Sequence, residues 1–323
     1  MKLIASLTTI PRRFEFLKTA IKSVVSQTAY DKVDLFYINV DDNLTEDDYA
    51  RYESLKEMDP KIRVKKCPAK WRSCNKLLWV MKDHPDDAII CFDDDKNYPR
   101  DTIRQNYEMW KKFPECIIAQ EINPVVRLER DGNIRIEYRN IADVKFNQLE
   151  FGKYLSNGCL FPPHCFDDMV WDYDKMMEVT DGNHDELWFW LCSTLRGVRS
   201  IGLDYTFSHS LDSGVCLDVH ESNLTNINVR SEIIKSYNDR INEKYGERLN
   251  NIVNKIPVEF HLNHSNIFGF AGSLKPINNI FKNFPILLVF DRTIVDSWRY
   301  FLGNETSKYE WAWLKFTYRE KKQ

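Results

Sequence analysis

The chain has 323 residues with a formal net charge of -3, and hydrophobic residues make up 43% of it. This length and composition allow one large domain, or one domain with a substantial extension, around a sizeable core. The nearly balanced charge gives no global basic field, so we do not expect a nucleic acid as partner.

The cysteines and the apolar segments indicate a cellular compartment. Eight cysteines are scattered along the chain and none forms a CxxC pair, which favours a reducing environment over a disulfide framework. The first residues become polar too soon for a signal peptide, and no apolar run reaches the roughly 20 residues of a transmembrane helix. We therefore expect a cytoplasmic protein that could lie peripherally at the inner face of the cell membrane.

Strands and helices alternate four times in about the first 120 residues, which predicts an α/β fold with a mostly parallel sheet covered by helices. The predicted strands are Leu3–Leu7, Val33–Val40, Ile62–Lys66, Ala88–Phe92 and Cys116–Ala119. The predicted helices are one containing Phe14, Leu17, Ile21, Val24 and Val25, then Thr45–Met58, Cys74–Lys82 and Asp101–Lys112. Thr8 or Thr9 is expected to cap the first helix and Thr45 the second.

The pattern changes after this alternation. Val125–Leu128 and Ile134–Tyr138 flank a turn sequence and predict a β-hairpin. Asp185–Leu195 predicts an aromatic-rich helix, and the chain reads as helices joined by loops from about residue 222. We therefore divide the chain into a ligand-binding domain over 1–221 and a mainly helical extension over 222–323. The aromatic residues of that extension favour core packing, with contact to a membrane as the second reading.

The most informative segment is Ala88–Asp95, in which an apolar strand ends in three consecutive carboxylates, Asp93, Asp94 and Asp95. Three adjacent acids repel one another unless a cation lies beside them. Hard oxygen ligands at a strand end suit Mg²⁺ or Mn²⁺ bridging to a substrate diphosphate. A solvated acidic turn is the alternative for such a triplet.

Other candidate binding residues come from the loops around the predicted sheet. The first loop includes Thr8, Pro11, Arg12 and Arg13, and its arginines could meet a diphosphate, since a doubly wound sheet binds nucleotides at this place. The loop lacks the glycines of a Walker or dinucleotide site. The alternative is a plain helix start with two surface arginines.

Three further side chains are candidates at neighbouring positions. Asp41 and Asp42 follow the second strand and could contact a base or ribose, and Lys76 could contact a phosphate. The alternatives are a solvated turn for the two acids and an ordinary surface lysine.

Asp185 and Glu186 begin the aromatic-rich helix, next to Trp188, Phe189 and Trp190. Acids at a helix start are favoured by the helix dipole, which explains them without a function. A carboxylate set against aromatic rings can instead have a raised pKa and act as a general base, and the rings could stack on a sugar.

Histidines downstream of that helix supply candidate metal ligands. His209 follows it in the chain and could complete a metal site, as could His220. Each histidine alone is more often an ordinary surface or core residue.

Taken together, the sequence resembles the glycosyltransferase-A superfamily, in particular family 2-like bacterial enzymes that assemble surface polysaccharides. The resemblance covers about residues 2–210 and is carried by Leu7-Thr8-Thr9-Ile10-Pro11-Arg12-Arg13, Ser23-Val24-Val25-Ser26-Gln27-Thr28, Cys91-Phe92-Asp93-Asp94-Asp95 and His184-Asp185-Glu186-Leu187-Trp188. It implies a GT-A-like, Rossmann-like twisted sheet flanked by helices, with the helical extension after it.

The resemblance also implies a nucleotide-sugar donor, UDP-linked as first candidate, a divalent cation (Mn²⁺ or Mg²⁺), and a glycan or lipid-linked acceptor. The triplet then corresponds to the DxD motif. Asp93 would lie near the ribose or sugar, Asp95 would bind the metal, and the first loop with Asp41 or Asp42 would hold the nucleotide. The Glu-Asp pair of such enzymes is reversed here, so Glu186 matches the base by position and Asp185 is the alternative.

These features give an inverting transferase of the hexosyltransferase type as the leading hypothesis. A nucleotidyltransferase on a similar sheet would also use strand-end acids with Mg²⁺, but it usually needs a glycine-rich first loop. An inactive scaffold subunit of polysaccharide assembly would be expected to have lost the acids, and Asp93, Asp95, Asp185 and Glu186 are all present.

Overall fold

The computed structural model describes residues 1–120, 122–123, 126–128, 134–136, 153–154, 158–203 and 227–253. The strands are β1 Leu3–Thr8, β2 Leu35–Asp41, β3 Ile62–Cys67, β4 Ala88–Phe92, β5 Ile117–Ala119, β6 Ile122–Asn123, β7 Val126–Leu128, β8 Ile134–Ile136, β9 Lys153–Tyr154, β10 Cys159–Phe161 and β11 Ser200–Gly202. The helices are α1 Phe14–Val25, α2 Glu46–Glu53, α3 Leu78–Asp83, α4 Thr102–Lys112, α5 Tyr173–Thr180, α6 Asp185–Arg196 and α7 Ile227–Val253.

Seven of these strands form one mixed sheet in the order β11-β5-β10-β4-β1-β2-β3. The strands β1 to β4 run parallel, β11 is parallel to β5, and β10 is antiparallel to both of its neighbours. The β4 strand is buried along its whole length, as its unbroken apolar sequence predicts. The expected mostly parallel α/β sheet flanked by helices is confirmed.

The sheet carries a hydrophobic core on each face, because alternate residues of each strand point to opposite sides. Leu3, Ala5 and Leu7 of β1 pack with the buried side of α1, whereas Ile4 packs with α5, α6 and α7 on the other face. The middle of α6, from Leu187 to Leu195, is buried throughout. A helix that is apolar all round is expected to lie inside the protein, and α6 does so.

Several predicted elements differ from the observed ones in detail. The expected Thr8 or Thr9 cap is wrong: a 3-10 turn, Pro11–Arg13, leads into α1, and neither it nor α1 has a side-chain cap. The segment Cys74–Lys82 is divided, since a 3-10 stretch over Ala69–Lys76 precedes the shorter α3.

Other details agree with the predictions. Thr45 caps α2, where its hydroxyl accepts from the Asp48 N–H at 3.1 Å. The hairpin appears as the antiparallel pair β7 and β8. The proposed domain boundary at 221/222 lies outside the described residues. Among the helices that the structure describes, none combines the length and the apolar character that crossing a bilayer requires.

Candidate active site

Three candidate segments meet at one edge of the sheet. Since β1 lies between β2 and β4 and all three run parallel, the first loop, Asp41 and the acid triplet leave the sheet side by side. Phe92 is in register with Leu7, so Asp93 follows at the level of Thr8. Ligands of open α/β sheets bind at this edge.

Lys76 joins the acid triplet to the acidic start of α6. Its ammonium nitrogen Nζ lies 2.8 Å from Asp93 Oδ1 and 3.1 Å from Asp185 Oδ2. The Lys76 side chain is only 7% exposed, so this is a buried cation between two carboxylates and not a surface lysine. Two acids that are far apart in sequence are therefore brought to one point.

A buried polar network fixes the backbone at Lys76. The Ser6 hydroxyl of β1 donates to the Lys76 carbonyl at 2.5 Å. The Asn39 amide of β2 in turn donates to the Ser6 hydroxyl at 2.9 Å and to the Leu7 carbonyl at 2.8 Å. We did not predict Ser6 or Asn39 as site residues, although a polar residue within an apolar strand was the signal that could have found them.

Asp93 has further partners that the sequence analysis missed. Lys96 Nζ lies 3.4 Å from Asp93 Oδ2, and the Asp93 N–H donates to the Tyr98 hydroxyl at 2.6 Å. Burial alone would raise the pKa of Asp93, but the charges of Lys76 and Lys96 outweigh it and hold that pKa below its usual range. Asp93 is therefore ionised at neutral pH.

Arg13 neutralises the other two acids of the triplet. Its Nη1 lies 2.9 Å from Asp94 Oδ1 and its Nη2 lies 3.3 Å from Asp95 Oδ2. Burial raises the pKa of Asp94, although Thr9 and Arg13 lower it in part. The repulsion expected within the triplet is thus balanced by cations of this chain, from the first loop and from Lys76 and Lys96.

The remaining first-loop candidates take different positions. The Thr8 hydroxyl donates to the Asn39 carbonyl at 3.1 Å, which is a contact within the sheet edge. Pro11 opens the 3-10 turn, where a residue without an N–H fits, and Arg12 is exposed on that turn. Of the two arginines, Arg13 is the one that the structure places on the triplet.

The two acids after β2 separate. Asp42 Oδ1 accepts from the Ala69 N–H at 3.2 Å and so helps to hold the loop after β3. Asp41 is half-buried, and burial followed by the charge of Asp42 raises its pKa, while a hydrogen bond with Asn75 lowers it. Asp41 therefore lies beside the loop that carries Lys76, and Asn75 is a neighbour that the sequence analysis did not single out.

The start of α6 differs from the expectation in two respects. Trp188, Phe189 and Trp190 are at most 1% exposed and pack in the core, so the suggestion that they stack on a sugar is wrong. The suggested raised pKa is also wrong for Asp185: burial raises it, but the charge of Lys76 outweighs burial and lowers it. Glu186 follows as a half-buried residue, and its charge contributes to the raised pKa of Lys76.

The triplet has the donor atoms of a Mg²⁺ or Mn²⁺ site. Among the residues that the structure describes, no group of three or more typical ligand side chains is arranged around one point. Mg²⁺ is commonly held by one or two carboxylates together with substrate phosphates, and Asp93 and Asp95 offer such oxygens at the sheet edge. Asp95 is 11% exposed and Asp93 is 23% exposed, so both remain reachable from outside. His209 lies outside the described residues.

The comparison with known families agrees with this geometry. Residues 9–156 match the model of the family described as "Glycosyl transferase family 2". This segment holds the first loop from Thr9 onward, Lys76 and the whole acid triplet. The match confirms the resemblance and the fold class expected from the sequence, and it supports a glycosyltransferase-type function.

The other comparisons add little. No curated protein matches the chain. Among solved structures, the chain is similar to one described as "Crystal structure of 4-diphosphocytidyl-2C-methyl-D-erythritol synthase", with 14% identity over 72% of this chain and 100% of that chain and a TM-score of 0.41. A likeness this weak carries no argument about function.

Proposed function

We propose that this protein is a metal-dependent glycosyltransferase that transfers a sugar, in the first instance a hexose, from a nucleotide-diphosphate donor to a glycan or lipid-linked acceptor. A UDP-linked sugar is the first donor to test. The observation that carries the proposal is the meeting of Asp93 and Asp185 on the buried Lys76. This contact joins the strand-end acids of the family-matched segment to the acids of α6, which follow that segment in the chain.

The donor would bind along the sheet edge. Asp41 at the end of β2 would face the base or ribose, and Arg13 and Lys76 would face the diphosphate. Both cations already lie among carboxylates, so they are held in place before the donor arrives. A charge that is fixed in advance stabilises a leaving diphosphate more than a charge on a mobile side chain does. Asp94 would support the donor site by holding Arg13.

A divalent cation, Mn²⁺ or Mg²⁺, would be held by Asp95 and Asp93 together with the donor phosphates, and His209 stays a predicted third ligand. When bound, such a cation neutralises charge on the leaving diphosphate. The chain's own part is to keep the Asp93 carboxylate ionised. The lowered pKa of Asp93 supports this, since Lys76 and Lys96 outweigh its burial.

Glu186 is the proposed base and Asp185 the positioning carboxylate. Asp185 is tied to Lys76 at 3.1 Å and its pKa is lowered, because the lysine charge outweighs burial, so it is a poor proton acceptor. Glu186 is the neighbouring carboxylate in the first turn of the same helix. It would take the proton of the acceptor hydroxyl while that oxygen bonds to the sugar carbon and the carbon–diphosphate bond breaks, which inverts the centre.

The setting of the reaction belongs to the same proposal. We place the enzyme in the cytoplasm, in the synthesis of a surface polysaccharide. The donor-binding domain would span 1–221, and the helical extension 222–323 would provide any peripheral contact with a membrane that carries the acceptor.

Calorimetry tests the donor site directly. The purified protein is titrated with UDP and with several UDP-sugars, with Mn²⁺ and with EDTA, and the titrations are repeated on Asp95→Asn. We expect metal-dependent binding that the variant loses. Asp101→Asn is the matched control. Asp101 is also an aspartate and lies six residues after Asp95, but it pairs with the surface Arg104.

A kinetic experiment distinguishes the proposed roles of Glu186 and Asp185. Glu186→Gln should retain nucleotide binding and lose sugar transfer or donor hydrolysis, whereas Asp185→Asn should weaken both, since it removes a partner of Lys76. If the native protein binds none of the nucleotides with or without metal, the proposed function is wrong.

A further inference from the structure

A short loop between α5 and α6 determines where the two carboxylates of α6 lie. We call residues 181–184 the base loop. It turns sharply, because Asp181 has a φ of 51° and Gly182 has a φ of 67°. A Cβ on Gly182 would lie 2.7 Å from the sulfur of the flexible Met177 side chain, which can shift, so it is the positive φ that favours glycine there.

The start of α6 is not held by its own sequence. The residue at its N-cap position, His184, makes no side-chain capping hydrogen bond. A Ser, Thr, Asp or Asn at this position would bond to the first turn and fix the helix start locally. The base loop, which leads into this helix start, is held by contacts from other parts of the protein.

Helix α7 supplies such contacts on one side. Arg240 Nη1 lies 2.7 Å from Asp181 Oδ1 and donates to the Glu178 carbonyl at 3.3 Å. The ring of Tyr237 meets the His184 ring edge-on, with the centroids 6.4 Å apart. Tyr237 is 4% exposed, so this contact is part of the packed interior.

The hydroxyl of Tyr237 reaches the same loop. Burial raises the pKa of Tyr237, Asn183 lowers it through a hydrogen bond, and the charge of Asp181 raises it. The Asn183 and Asp181 side chains of the base loop therefore lie beside the phenol oxygen. Two neighbouring turns of α7 thus contact three of the four residues of the loop.

Arg72 holds the base loop from the opposite side. Its guanidinium donates to the Asn183 side-chain oxygen. The Arg72 backbone has a φ of 47° and a ψ of -125°, a conformation that a non-glycine residue keeps only where the surrounding structure enforces it. Arg72 lies in the same 3-10 stretch that ends at Lys76, so the base loop is tied to the stretch that carries the ion-pair partner of Asp185.

We propose that Tyr237 and Arg240 are positioning residues that hold the base loop and thereby orient Asp185 and Glu186 for proton removal from the acceptor. The inference rests on the proposed function of that site. It gives α7, which follows the family-matched segment 9–156, a part in the transfer step beyond that of covering the core. Neither residue touches the reacting atoms, so neither is called catalytic.

The helix itself offers a matched control. Arg240, Lys244 and Arg248 recur at intervals of four residues, and each forms an ion pair with an acid of the preceding elements. Lys244 pairs with Glu178, outside the base loop. Lys244→Ala therefore removes a comparable exposed ion pair from the same helix without touching residues 181–184.

The test combines turnover with a readout that does not depend on catalysis. Turnover of the UDP-sugar that the native protein binds best is measured for Arg240→Ala, Tyr237→Phe, Tyr237→Ala and Lys244→Ala. We expect kcat to fall about 10-fold in Arg240→Ala and about 100-fold in Tyr237→Ala, with UDP affinity nearly unchanged, because small displacements of a reacting group cost rate and not binding. Lys244→Ala should keep the native kcat.

Amide hydrogen exchange of the same variants follows the loop directly. Amides of residues 181–188 should exchange faster in Arg240→Ala than in Lys244→Ala. Asp181→Asn should give part of the effect of Arg240→Ala, which also loses the hydrogen bond to the Glu178 carbonyl, and the double variant should be no worse than Arg240→Ala alone. Tyr237→Phe, which keeps the ring, guards against the case in which Tyr237→Ala fails to fold.

The outcomes separate the two proposals. Faster exchange at residues 181–188 in a protein that binds no nucleotide would support the positioning contacts and reject the proposed function. Native exchange and native kcat in both Arg240→Ala and Tyr237→Phe would overturn the positioning role. Equal losses of kcat in Arg240→Ala and Lys244→Ala would also overturn it, because the effect would then belong to the helix as a whole.

Discussion

The two acidic segments of the site, Asp93–Asp95 after β4 and Asp185–Glu186 at the start of α6, are held in different ways. The triplet follows a fully buried strand whose register with β1 is fixed along its length. The acids of α6 follow a turn with two positive φ angles and an uncapped helix start. Strand pairing therefore positions the acid triplet, whereas contacts from the distant helix α7 position the acids of α6.

Lys76 is the point at which the two halves meet, so its removal gives the largest expected effect. Lys76→Met should leave Asp93 and Asp185 buried without their shared cation. Loss of one partner of a buried ion pair costs about 3–5 kcal/mol, so we expect a fall of this size in the free energy of unfolding, together with loss of nucleotide binding. Urea denaturation at neutral pH measures the first and calorimetry the second.

Lys76→Arg serves as the control because it keeps the charge. It should retain most of the stability and lose part of the activity, since the longer, planar group fits the narrow space between the two acids less well. A Lys76→Met protein as stable as the native one would show that the two halves are not coupled through this lysine.

The same contact predicts a pH dependence. Lys76 outweighs burial and lowers the folded-state pKa of both Asp93 and Asp185, so the ion pairs stabilise the native protein above the ordinary value of 3.8 and this stability is lost as the pH falls through the lowered folded values. In Lys76→Met, burial of Asp185 is no longer opposed by the lysine and Asp93 keeps only Lys96 beside it, so the pKa of each acid is higher than in the native protein. The difference in unfolding free energy between the two proteins should therefore be widest near neutral pH and narrow toward pH 3.8.

Urea denaturation of both proteins at a series of pH values measures this difference. A gap that stays constant over the series would mean that the lysine acts through packing and not through the charge of the acids.

A smaller effect is expected at the triplet alone. Arg13→Ala should weaken binding of UDP by about 10-fold, because it removes a charge-assisted partner of the phosphates and leaves Asp94 and Asp95 repelling both each other and the ligand. Calorimetry with UDP and Mn²⁺ measures this loss. Arg104→Ala, which removes a surface arginine of α4, should bind UDP as the native protein does. If the native protein, Arg13→Ala and Arg104→Ala all bind UDP with equal affinity, Arg13 is not part of the donor site.

The smallest effect on donor binding is expected from the network behind Lys76. Ser6→Ala removes the hydrogen bond to the Lys76 carbonyl and the acceptor of the Asn39 amide. A buried polar group left without its partner costs about 1–3 kcal/mol, so the free energy of unfolding should fall by this amount while UDP affinity changes little. Thermal and urea unfolding give the stability. A large loss of UDP affinity with native stability would instead show that Ser6 contributes to the donor site itself.

The sequence predicted the sheet and the place of the triplet well. The β4 strand was predicted with its observed bounds, Ala88–Phe92, because a short unbroken apolar run followed by acids is a local signal. It predicted the start of α1 less well: the threonine cap was wrong because Thr8 bonds to the neighbouring strand and a 3-10 turn begins the helix. Local capping preferences give way where the sheet offers another partner.

The functional pairings were harder to predict. Lys76 was a candidate from its place in the chain, yet a surface position was the alternative, and only the packing of β1, β2 and α6 around it makes it a buried cation. The sequence suggested that the aromatic residues after Glu186 could stack on a sugar, but these residues are buried in the core. Helical spacing shows which residues share a face, but not which side of the helix meets the sheet.

The α/β class, the alternation of strands and helices, and the three carboxylates at the carboxyl end of a strand follow from the sequence alone. These features depend on periodicity and on residues near one another in the chain. Only the folded protein shows that Lys76 lies between Asp93 and Asp185, that Arg13 meets the triplet, and that α7 contacts the base loop. Such contacts join residues that are far apart in sequence, so their partners are fixed by how the helices pack on the sheet and by which buried charges need neutralising.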